Sequence, residues 1–149
     1  MLSPTEAREF DAIAARILPT TDTPGAREAG VIYFMDKAFG TIMAGELPDA
    51  RRGLADFQAG IAAAYPGAGL FSDLDEFDED QYLQSREQTD FFLQMHFMTL
   101  CGFFAMSSYG GNRDNVGWKL IRFEGRHGAW QPPFGHYDAE YMRGQKDAE

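Results

Sequence analysis

The sequence predicts a mainly α fold: a compact helical body over about residues 3–107, centred on a buried helix at about 88–107, with an irregular, aromatic- and proline-rich tail over 108–149. Three observations carry this expectation. A capping box, Ser3-Pro4-Thr5-Glu6, opens the chain. Apolar residues then return at three- and four-residue intervals through the first 64 positions. Finally, residues 91–106 are apolar at twelve of sixteen positions, on every side of a helix, which predicts an element buried nearly throughout.

The first helix follows the capping box, with Phe10, Ile13, Ala14, Ile17 and Leu18 on its inner face and Pro19 as its stop. Pro19-Thr20-Thr21-Asp22-Thr23-Pro24-Gly25 is a stiff connector, with Thr23 placed to cap a second helix that Pro24 enters. Val31, Met35, Ala38 and Ile42 mark one face of that helix, while Ala26, Ala29, Gly30 and Tyr33 form a second face of mostly small residues. Pro48 opens a third helix with Leu54, Phe57, Ile61 and Ala64 inward, and Tyr65-Pro66-Gly67 ends it. Leu70, Phe71, Leu74 and Phe77 are aromatic and aliphatic anchors in an acidic stretch, and residues 80–85 begin or border a short helix. The central helix is too short to span a bilayer and is interrupted by Gln94, His96 and Thr99. Beyond it lie a Gly-Gly run, an extended piece at 118–123, and Trp130-Gln131-Pro132-Pro133-Phe134, which cannot be helical. One domain over 1–149 is expected.

With 44% hydrophobic and 14% aromatic residues, the chain is globular in composition. Thirteen Phe exceed the needs of one small core, so some are expected on an intermolecular surface. A net charge of −10 argues against nucleic acid and against anionic membrane surfaces, both of which call for clustered Lys and Arg. The single cysteine, Cys101, excludes an internal disulfide framework. No basic segment followed by an apolar one precedes the first helix, so no export signal is read in the chain as it stands.

Asp73, Asp75, Asp78, Glu79 and Asp80 suggest calcium, but counting from Asp73 puts Phe77 at the fifth position, Asp78 where glycine is required and Gln84 where the closing Glu belongs. A solvated acidic face is the expectation there. His96 and Cys101 are five residues apart, about 140° around a helix, so they diverge and read as a core histidine and a small apolar thiol. His127, His136, Asp138 and Glu140 could serve as loop ligands, which leaves open a self-contained metal-binding protein or enzyme. Residues 112–115 read as a self-bonded turn rather than a phosphate cradle, since no nucleotide fingerprint surrounds them.

Three stretches combine into a family pattern: Leu2-Ser3-Pro4 through Ile17-Leu18-Pro19, then Thr21-Asp22-Thr23-Pro24-Gly25-Ala26-Arg27-Glu28-Ala29-Gly30, then Tyr109-Gly110-Gly111-Asn112-Arg113 through Gly117-Trp118-Lys119. Their order resembles the gluconate 2-dehydrogenase subunit 3 family, the small or gamma subunits of bacterial membrane-associated dehydrogenases. The resemblance implies an accessory subunit without a cofactor or catalytic residues of its own. Its partner would be a large FAD-binding dehydrogenase of the glucose-methanol-choline (GMC) class that oxidises a sugar, sugar acid, glycoside or polyol, and a cytochrome c subunit often accepts the electrons. Family members commonly carry a twin-arginine leader that exports the pair, and this sequence lacks one.

Tyr109, Asn112, Arg113, Trp118, Trp130, Phe134, His136 and Tyr137 are the candidate partner-facing residues. Trp, Tyr and Arg dominate binding energy at interfaces, and a Pro132-Pro133 tail loses little entropy on docking. Each aromatic could instead close the core, and a homo-oligomer docking its tail on a second copy is a further alternative.

Overall fold

The computed structural model describes residues 1–123, within which the chain forms seven α-helices, four single-turn 3-10 segments and no strands. The helices are α1 Pro4–Ile17, α2 Ala26–Ala29, α3 Val31–Gly40, α4 Leu47–Ala64, α5 Glu76–Ser85, α6 Asp90–Phe104 and α7 Val116–Leu120. The tail, with the His127, His136, Asp138 and Glu140 set, lies outside the described residues.

The first helix starts where its capping box requires. Ser3 Oγ accepts the Glu6 N–H (3.2 Å), and the Ser3 N–H donates to Glu6 Oε2 (2.7 Å), which satisfies two otherwise unpaired donors. Phe10, Ile13 and Ala14 are buried, with Ile17 and Leu18 packed against the core. One buried position on this helix carries a charge-bearing group. Glu9 is fully buried and accepts the Phe71 N–H (2.9 Å) and the Ser72 hydroxyl. It thereby ties the 3-10 turn Phe71–Asp73 to α1 and lets Phe71 enter the core.

The second predicted helix is in fact two. Gly30 adopts φ 66°, ψ 38°, a left-handed conformation that costs glycine little, and the chain turns between α2 and α3 there. The cap also differs from expectation. Gly25, not Thr23, is the N-cap, and Glu28 reaches back to its N–H (2.9 Å) while also accepting the Thr20 hydroxyl (2.6 Å). Val31, Met35 and Ala38 are buried as predicted, whereas Ile42 lies beyond the helix end and is 74% exposed. In α4, Leu54, Phe57 and Ile61 are buried, but Ala64 is exposed at its last turn.

The acidic stretch is resolved as caps and ion pairs. Asp75 caps α5 by accepting the Asp78 N–H (2.9 Å), and Asp80 and Glu76 meet Arg16 of α1 at 2.7 and 3.5 Å. Phe77, expected as an anchor, faces outward on α5. Tyr82 and Leu83 hold that helix to the core instead.

Helix α6 runs through the centre, packed by α1, α2, α3 and α4, with α7 at its C-terminal end. Its inner face is Met95, Met98, Thr99, Gly102 and Phe103. Phe10 joins Phe39 (6.0 Å) and Phe91 (6.4 Å) across three helices, and Phe57 joins Phe91, Phe71 and Tyr82 at 4.9–5.4 Å. Burial throughout α6 is not observed, however. Leu93, Phe97, Leu100 and Phe104 are open, as is His96, which stacks on Phe92 at the surface and is not a core histidine. Among the described residues, α1, α2, α3 and α4 cover one side of this helix and leave the line from Leu93 to Phe104 exposed. Cys101 is half-buried, and burial raises its thiol pKa, which favours the protonated thiol over the thiolate.

Candidate functional site

The run that follows α6 is first of all its C-terminal cap. A helix leaves its last carbonyls without intrahelical donors, and loop 107–118 supplies three. The Asn112 N–H donates to the Gly102 carbonyl (2.9 Å), Asn112 Nδ2 to the Ala105 carbonyl (2.9 Å), and the Trp118 indole N–H to the Phe104 carbonyl (2.8 Å). Asn112 Oδ1 accepts the Gly117 N–H (2.9 Å), so both ends of its amide are used. The loop backbone crosses α6 so closely that a Cβ on Gly111 would sit 2.1 Å from the Gly102 carbonyl oxygen. Only glycine permits that crossing.

The turn itself is tightly wound. Asn112, Asp114 and Asn115 have φ of 45°, 55° and 56°, a region that Asn and Asp tolerate better than other side-chain-bearing residues. The Asn115 N–H closes the turn on the Asn112 carbonyl (2.9 Å). Lys37 of α3 donates to the Ser108 carbonyl (2.7 Å), fixing the loop from a second side. The segment 118–123, expected to be extended, instead begins inside α7, with the Phe123 N–H bonded to the Trp118 carbonyl (2.7 Å).

The predicted interface residues therefore divide into groups. Asn112 is fully buried, which removes it from any partner-facing set: its amide organises the loop. Arg113 is exposed, with its guanidinium 4.9 Å from the centre of the Tyr33 ring, a cation–π contact that holds the charge at the surface. Tyr109 is about half exposed. Trp118 is half-buried, meets Phe123 edge-on at 5.4 Å and caps α6 through its indole N–H. Trp130, Phe134, His136 and Tyr137 lie outside the described residues.

Reasoning from the sequence missed the neighbouring surface. Leu93, Phe97, Leu100 and Phe104 recur at spacings of four, three and four, within about 60° of one another around α6. They make an apolar line about 16 Å long that ends where Trp118 binds the Phe104 carbonyl. The available signal was the sequence of α6 itself, which contains no Lys or Arg and one acid, Asp90, at its start.

A cleft of about 630 Å³ between α4 and the start of α6 contains Arg52, Asp56, Arg86 and Asp90. Arg52 pairs with Asp49, and Arg86 lies 5.0 Å over the Tyr82 ring. Among the described residues no three His, Cys, Asp or Glu side chains converge as a metal site, and no helix is long and apolar enough to cross a membrane.

The sequence pattern of one family, described as gluconate 2-dehydrogenase subunit 3, matches residues 4–125. The chain belongs to the gluconate 2-dehydrogenase subunit 3 family. The match takes in α1 through α7, including the cap on α6, and makes this family member a subunit of a dehydrogenase complex. No curated protein and no solved structure matches the chain.

Proposed function

We propose that this protein is a non-catalytic accessory subunit that binds and stabilises a large FAD-dependent dehydrogenase of the GMC class. The partner carries the FAD and oxidises a sugar, sugar acid, glycoside or polyol. The observation that carries this reading is family membership across all seven helices. The surface agrees with it: aromatic and aliphatic side chains stand open beside a rigid, hydrogen-bonded loop, the combination from which protein interfaces are made.

Co-expression with a GMC-class flavoprotein from the same genome, followed by capture through a tag on the small subunit, tests the reading. The expected result is a co-purifying, flavin-loaded large subunit whose soluble yield falls when the small subunit is omitted. A large subunit that is soluble, flavin-loaded and active alone would overturn the proposal.

A further inference from the structure

We infer that the outward face of α6 is the apolar centre of the contact with the large subunit, and that the basic loop-and-α7 cap at its end is part of the rim. The partner surface is then an apolar strip bordered by carboxylates. This inference rests on the accessory-subunit reading and assigns the surface that reading needs.

Isolated exposed apolar residues are ordinary, but a contiguous set is not. Phe97 is 57% exposed and Leu93 55%, and both lie on one line with Leu100 and Phe104. The opposite face of the same helix is sealed, with Met95, Met98 and Phe103 at 0%. A helix serving one core would carry polar residues outward. Here Asp90 is the only charged residue, and it stands at the N-terminus.

Membership of a dehydrogenase-subunit family supplies the occupant, and local charge predicts the character of its border. The chain carries −10 overall, and its carboxylates crowd α5 and the turn before it. The segment capping α6 has the opposite sign locally, with Arg113, Lys119 and Arg122 against Asp114 alone among residues 107–123. All three cations are exposed. A cationic margin beside an apolar centre is complementary to carboxylates around an apolar strip. A specific interface buries about 800 Å² per partner, more than one helix face provides, so centre and rim must act together. The cap is already rigid through its bonds to α6 and α3, which limits the entropy lost on docking.

The test uses the 149-residue chain co-expressed with the large subunit, comparing Phe97→Glu and Leu93→Glu with Phe77→Glu, a lone exposed aromatic on α5. Wild type and Phe77→Glu are expected to capture the large subunit equally. The two α6 variants are expected to capture about tenfold less or worse, as for loss of an interface anchor. Alone, all four chains should melt alike and size as monomers. Failure of the wild type to capture would defeat the accessory-subunit reading itself. Normal capture by both α6 variants would overturn the surface assignment and leave that reading standing. A lowered melting temperature of the isolated α6 variants would show that the chain's own residues 124–149 cover the face. A wild-type dimer made monomeric by Phe97→Glu would show a second copy there. Either result overturns the inference.

Discussion

Asn112 packs several functions into one buried side chain. Its left-handed backbone, its amide donor to Ala105 and its acceptor for Gly117 are all needed at once, and aspartate could not supply the donor. Asn112→Ala leaves a buried N–H and a carbonyl unpaired, at about 1–3 kcal/mol for each such group, and strains the φ. A loss of about 2–4 kcal/mol is expected, seen as a lower denaturation midpoint with an unchanged slope in urea. The turn character of this residue was legible, because Asn beside Gly-Gly marks a tight turn. Its burial was not, because burial depends on α6 crossing the same loop. Glu9 makes the same point in reverse: a glutamate on a helix reads as solvent-facing until Phe71 and Ser72 supply its hydrogen bonds from 62 residues away.

At the scale of elements, helix starts were more legible than helix breaks. The capping box located α1 because its chemistry is local, whereas the split at Gly30 depends on α2 packing against α1 and α6 while α3 takes a different course. The α1 cap also carries a pH signature. Arg51 hydrogen-bonds Glu6 and holds its pKa down at about 2, against an ordinary 4.5, with the Ser3 N–H adding to the shift. A carboxyl whose folded pKa is depressed adds stability that is fully present above 4.5 and disappears as pH falls through about 2. Wild type is therefore expected to lose stability across that window more steeply than Glu6→Gln, measured as melting temperature against pH. The half-buried Glu79 works the other way, since desolvation raises its pKa, so the difference between the two proteins is the diagnostic quantity.

Over the whole molecule, the distribution of charge matters more than its total. The acids gather on α5, where Arg16 reaches across to join them, and the cations of the α6 cap stand apart. If that cap borders the subunit contact, the affinity for the large subunit should fall as salt rises from about 50 to 500 mM, because exposed charges are screened. Arg113→Glu should flatten or reverse that dependence in a binding titration. A salt-insensitive affinity would count against the charged rim. The sequence by itself determined the helical class, the start of α1, most of the inward stripes of α1, α3 and α4, and the family, because periodicity, caps and short motifs are encoded in neighbouring residues. Only the tertiary structure decided which half of α6 is sealed, and that the Tyr-Gly-Gly-Asn-Arg run chiefly caps it. A uniformly apolar helix carries no mark of which side its neighbours cover. Coverage is settled by how far α1, α3 and α4 reach around it, and they leave the line from Leu93 to Phe104 open.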